Sequence, residues 1–215
     1  MESPVFPSRL VWLGELGPTH PAWEHAEVRA LAALAAAGLP LAPLRLVPAA
    51  AEERFYRLNN LPERLVALFE GVNLSDPDED DIEELAPEAQ TLIVSHYLLD
   101  EFIDVFYEGL ASMPAAVRLR RPGQQAGRTA PRGRPALLAL KKLWADAWSL
   151  EALMARLTAN AGIALPAEPV LVGAPGLEAA PAELERHAAE ILGAPVRLRV
   201  EPASGITGVM LKHQG

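Results

Sequence analysis

Residues 116–135, AVRLRRPGQQAGRTAPRGRP, hold six arginines (Arg118, Arg120, Arg121, Arg128, Arg132 and Arg134), three glycines and no acid. Guanidinium groups bind phosphate through paired N–H donors, and glycines let backbone amides approach an anion closely. The run therefore reads as a loop able to hold a nucleotide, a phosphorylated metabolite or a nucleic acid, with Arg118, Arg120, Arg121, Gln124 and Arg128 as the candidate contacts. The competing reading is a solvated connection between two elements. No aromatic residue is interleaved for base stacking and most of the remaining chain is acidic, which disfavours nucleic acid.

Other chemistry is sparse. The five histidines (His20, His25, His96, His187 and His213) show no metal-ligand spacing and read as surface or capping residues. There is no GxSxG, Walker A or dinucleotide-binding glycine pattern. The acidic stretch LSDPDEDDIEEL fails as a calcium loop. Counting from Asp76, the glycine position is Asp81 and the bidentate glutamate position is Pro87. It reads instead as a helix start capped by Ser75 or Asp76, with carboxylates against the exposed amides. The chain has no cysteine, which excludes disulfides, thiolate metal sites and cysteine nucleophiles.

The elements that must position the arginines follow from apolar period and punctuation. Val11–Leu13 reads as a strand, and a helix opening at Thr19 and Pro21 runs to Ala37, closed by Gly38 and Pro40. Leu44–Val47 is a strand, Ala49–Leu58 a helix, and Leu61–Gly71 a helix with Pro62 in its first turn. Residues 97–113 put Leu99, Phe102, Ile103, Phe106 and Leu110 on one helical face. Val117–Leu119 is a strand entering the arginine run, and Pro135–Asn160 is one long helix. Val170–Val172, Val196–Val200 and Thr207–Leu211 read as strands, with a helix over Pro181–Leu192.

At 215 residues and half hydrophobic, the chain can bury a core of its own. The net charge of −9 is unevenly placed: residues 1–115 carry 20 acids and 6 bases, residues 116–215 carry 8 acids and 13 bases. The expectation is an acidic helix-rich lobe over 1–115, with an N-terminal strand–helix–strand unit, joined to a basic α/β portion over 116–215 in one compact domain. No apolar run approaches the ~20 residues needed to span a bilayer. Met1–Arg9 lacks the basic-then-apolar order of a signal peptide, so no membrane association and a cytoplasmic location are expected.

The order of segments resembles the N-terminal nucleotide-binding region of phosphoenolpyruvate synthase and pyruvate phosphate dikinase, an ATP-grasp-like fold. The matching stretches are VWLGEL (11–16), AGLPLAP (37–43), AAAEERFYRL (49–58), LVALFEGVNLSDPDEDDIEELAPEAQTLI, DEFIDVFYEGL, AVRLRR, LLALKKLWADAWSLEALMARL and VEPASGITGVML (200–211). The resemblance implies an α/β (α+β) fold, an ATP-grasp-like N-terminal portion, helix-rich with a small mixed sheet. ATP and magnesium are the cofactors it implies.

The departures point away from catalysis. The family's Gly-Gly-Lys turn, whose lysine contacts ATP phosphates, falls on Glu24, His25 and Ala26. In the family's VRSSA strand Arg118 is kept, while Leu119 and Arg120 replace the serines. Gly123, Gln124 and Gln125 resemble the family's glutamine loop, ahead of its usual place. Phosphoryl transfer needs cations converging on developing charge. A replacement amine would have to come from Lys141, Lys142 or Lys212. The expectation is a shortened, degenerate, non-catalytic relative acting by binding or assembly, with a protein partner or by self-association. Two rivals are an ATP-binding phosphotransferase fragment completed by a partner subunit, and an arginine-loop module for phosphate-rich polymers.

Overall fold

The structure is a computed structural model that describes residues 10–159, 162–163 and 167–211. A central five-stranded sheet has the order β1-β2-β5-β3-β4, and a three-stranded sheet has the order β6-β7-β8. In the first sheet the strands are β1 (Val11–Trp12), β2 (Leu44–Val47), β3 (Ala116–Arg120), β4 (Arg128–Pro131) and β5 (Val170–Gly173). In the second they are β6 (Glu178–Ala179), β7 (Val196–Glu201) and β8 (Gly205–Leu211).

Every ladder is antiparallel, which corrects the expected mixed sheet. The reason is where β5 goes. β2 and β3 run the same way, but β5 lies between them and opposes both, so the two never pair. The parallel contact among the described residues is the single Leu41–Ile206 bridge.

Strand residues alternate between two cores, as the two-residue period of a strand requires. Val47, Val117, Leu119, Val170 and Val172 face a helical layer. That layer comprises α2 (Ala49–Leu58), α3 (Leu61–Leu68), α4 (Glu79–Ser95), α5 (Asp100–Leu110), α6 (Arg134–Asp146) and α7 (Leu150–Thr158). Its centre is Trp144, packed against Phe55 at 5.3 Å and Phe102 at 6.3 Å between ring centroids. Leu44, Leu46 and Leu171 face the opposite way, towards α1 (Ala26–Ala36), α8 (Ala182–Leu192) and the second sheet. The five-stranded sheet thus draws strands from both sides of residue 115.

Several boundaries differ from the sequence reading, each for a local reason. The strand at Val11 ends at Trp12, and Leu13–Glu15 turns into a 3-10 helix. The helix expected from Pro21 begins as a separate 3-10 turn, Pro21–Glu24, whose cap is the His20 ring: Nδ1 accepts from the Ala22 amide at 3.1 Å. The acidic helix starts later than expected because the Ser75 hydroxyl and amide are both held by Asn73, so Asp78 caps instead, accepting from Asp80 at 3.0 Å. Leu99 precedes α5 as its cap and is 37% exposed, while Phe102, Phe106 and Leu110 are buried as expected.

The long helix expected over Pro135–Asn160 is two. The Ser149 hydroxyl caps α7 by accepting from the Ala152 amide at 3.3 Å, a bond that competes with helix continuation. Asn160 lies outside the described residues. None of the described helices is long and apolar enough to cross a membrane.

Candidate functional site

The arginine run is a strand, a turn and a second strand, so its side chains are sorted by strand parity rather than gathered in one loop. Arg118 and Arg120 project towards α1 and β8, and Arg121 projects towards α2. Three of the five predicted contacts are already occupied.

Arg120 is buried and paired in fork geometry with Glu27 of α1, at 2.6 Å for both contacts. Its Nη2 also donates to the Thr207 carbonyl at 3.1 Å. Glu27 accepts two further bonds, from the Gly123 amide at 2.7 Å and the Val209 amide at 2.9 Å. Both carboxylate oxygens are therefore saturated, as a buried charge requires.

Arg121 repeats the arrangement on the other face. It donates to both oxygens of Glu52 in α2, at 2.7 and 2.8 Å, and to the Glu168 carbonyl. The Glu168 amide in turn donates to Glu52 at 3.3 Å. Burial pushes the Glu52 carboxyl up from its ordinary value, and the Arg121 bond and charge oppose that push. Burial works against the Arg121 charge, but Glu52 overrides it and holds the guanidinium above its ordinary value. The pair is ionic, with the forked contacts carrying both charges.

Arg128, at the start of β4, forms a third fork with Asp146 at the end of α6, at 2.9 and 2.5 Å. This pair is partly open to solvent. The Asp146 bond raises the Arg128 pKa. Arg132 donates to the Ala111 and Met113 carbonyls at 2.7 and 2.9 Å, and Arg134 opens α6 on the surface.

Arg118 is different. Its Nη2 donates to the Gln125 carbonyl at 2.6 Å, its buried Nε has no partner, and no carboxylate pairs with it among the described residues. Burial, and then the neighbouring Arg120 charge, lower its pKa. Arg118 lines a cavity of about 160 Å³ together with Arg199, Gln125 and Met210. Gln124 also lines it, and reaches a second, wider cavity of about 490 Å³ beside Arg121 and Arg156. The structure thus brings Arg118 and Gln124 to one cavity and diverts Arg120, Arg121 and Arg128 into internal pairs.

No lysine lines this cavity among the described residues. Lys141 lies elsewhere, with Nζ donating to the Val94 and His96 carbonyls at the end of α4, and burial lowers its pKa. Lys142 is on the same helix and Lys212 lies outside the described residues. His96 contacts Arg64 and the Leu92 carbonyl, and His213 lies outside the described residues. Among the described residues no three His, Cys, Asp or Glu side chains are grouped to hold a metal ion.

The carboxylates Glu27, Glu52 and Asp146 were not among the sequence candidates, nor was Arg199. One signal was available: Glu27 is a lone acid on the apolar face of AEVRALAALAA, and an isolated buried charge requires a partner. Compared with known proteins, the chain matches no family model and no curated protein.

Proposed function

We propose that this chain is a non-catalytic binding protein, a degenerate relative of the ATP-grasp-like nucleotide-binding region of phosphoenolpyruvate synthase and pyruvate phosphate dikinase. The observation that carries the reading is the saturated Glu27–Arg120 fork. By the resemblance, Arg120 stands at a serine position of the phosphate-facing strand, and Glu27 follows the position of the family's lysine. A carboxylate thus occupies ground where a triphosphate would need cations, and it already holds the nearest guanidinium. Displacing it would strand a buried charge, at a cost of several kcal/mol.

Titration calorimetry with ATP and magnesium tests this reading. The expected result is no saturable heat at micromolar ATP. Saturable micromolar binding overturns it and favours the phosphotransferase reading. Light scattering on the eluting protein tests the assembly role, where a stable oligomer is the supporting result.

A further inference from the structure

The cavity lined by Arg118 and Arg199 is not spent on internal pairing. Among the described residues neither guanidinium has a carboxylate partner; both contact Gln125, and Arg199 also donates to the Leu177 carbonyl at 3.2 Å. The Gln125 carbonyl accepts from Arg118 at 2.6 Å and its Oε1 accepts from Arg199 at 3.4 Å. The Gln125 amide nitrogen is in turn directed at the Met210 sulfur. Two cations are therefore oriented at one opening by contacts that leave other N–H donors on each fork available.

The rest of the wall is largely apolar. Leu44, Leu171, Leu177, Val209 and Met210 line it, with Gly173, Gly176 and Gly208. The other charged residues of the lining, Glu27 and Arg120, neutralise each other, so the excess charge comes from Arg118 and Arg199. A cavity of about 150 Å³ holds a benzene-sized body. At about 160 Å³ this one has room for such a body.

We infer that this cavity binds a small monocarboxylate with a compact apolar body, its carboxylate held between Arg118 and Arg199 and its apolar part against Leu44, Leu171 and Val209. A planar carboxylate matches the guanidinium fork, and one negative charge is balanced without disturbing Glu27. The inference rests on the non-catalytic reading, because it requires Glu27 and Arg120 to stay paired.

The test is a ¹⁵N–¹H NMR titration of the intact chain with benzoate and hexanoate, beside benzamide and hexanamide as neutral isosteres. The expected result is saturable shifts at the Gly173, Gly208 and Val209 amides with at least one carboxylate, and binding weaker by about tenfold or more for its amide. Arg118→Gln and Arg199→Gln should each weaken the carboxylate by a similar factor, with unchanged thermal unfolding showing that both variants fold. Absence of saturable shifts with both carboxylates in the unaltered protein overturns the inference. So does equal binding of the amides, undiminished binding in the double variant, or tighter binding of inorganic phosphate. A parallel ATP–magnesium titration reports on the non-catalytic reading alone, so the two can fail separately.

Discussion

Arg120 and Arg121 are consecutive in the chain and are clamped to opposite layers of the protein. Arg120 holds Glu27 of α1 beneath one face of the sheet, and Arg121 holds Glu52 of α2 on the other. Strand geometry makes this automatic, because neighbouring side chains leave a strand in opposite directions. The end of β3 thereby ties both helical layers to the sheet. In the central sheet the cationic segment acts as a fastener.

Removing one partner of a buried fork leaves a desolvated charge. Arg121→Met strands Glu52, and we predict a loss of about 3–5 kcal/mol in denaturant unfolding. Arg120→Met strands Glu27 with a similar cost. Replacing both Glu52 and Arg121 by Leu and Met should cost less than Arg121→Met alone, since no charge is left behind. A loss below about 1 kcal/mol for Arg121→Met would contradict the buried ionic pair.

The Arg128–Asp146 fork has equally short contacts but lies 39% and 42% exposed at its two side chains. Water screens it, and surface pairs contribute about 0–1 kcal/mol. Asp146→Asn should therefore shift stability by no more than that. The contrast between Arg128 and Arg121 isolates burial from geometry.

Tyr56 offers a pH readout of the helical layer. Its hydroxyl accepts from the Trp148 indole at 2.8 Å. Burial, followed by the Glu52 charge, drives its pKa well above the ordinary value of 10.0. The folded state keeps a proton that the unfolded chain loses above about pH 10, so this group lowers stability as pH rises past that point. Tyr56→Phe should flatten the decline in stability between about pH 10 and 12, measured by urea midpoints at each pH. In absorbance titration of the folded protein, the same substitution should remove a phenolate that forms only well above pH 10. An unchanged alkaline limb in the variant would refute the assignment.

Gly205 is fixed by its backbone. Its φ is +110°, and a Cβ there would lie 2.3 Å from the Pro40 carbonyl oxygen, which also accepts from the Ile206 amide at 2.8 Å. The obstacle is main chain and cannot rotate away. Gly205→Ala should cost at least about 1–3 kcal/mol and lower the thermal midpoint. Gly123 also has a positive φ of +80° but open space around its Cβ position, so Gly123→Ala should cost less.

Local features of the fold were legible in the sequence because short-range rules govern them. Leu44–Val47, Ala49–Leu58 and Pro181–Leu192 were marked by apolar period and by Pro or Gly at their ends, and they stand close to those bounds. Residues 128–131 carry no strand signal in the sequence because RTAP has no apolar alternation and ends in proline, which suits an edge strand. The antiparallel sheet was invisible because β5 is inserted between strands that precede it by long stretches. The candidate site misled for the same reason. Arg120 meets its acid 93 residues away and Arg121 meets its acid 69 residues away, and a run of like charges looks unpaired when its counter-ions are that remote.

The position of β5 has a consequence for synthesis. A nascent polypeptide that has emerged only as far as β4 can place β2 and β3 side by side with a gap one strand wide, bordered on both sides by amides and carbonyls without partners. That slot accepts any extended segment until residues 170–173 arrive to close it. Until then the correct strand competes for the gap with an extended segment of a neighbouring copy.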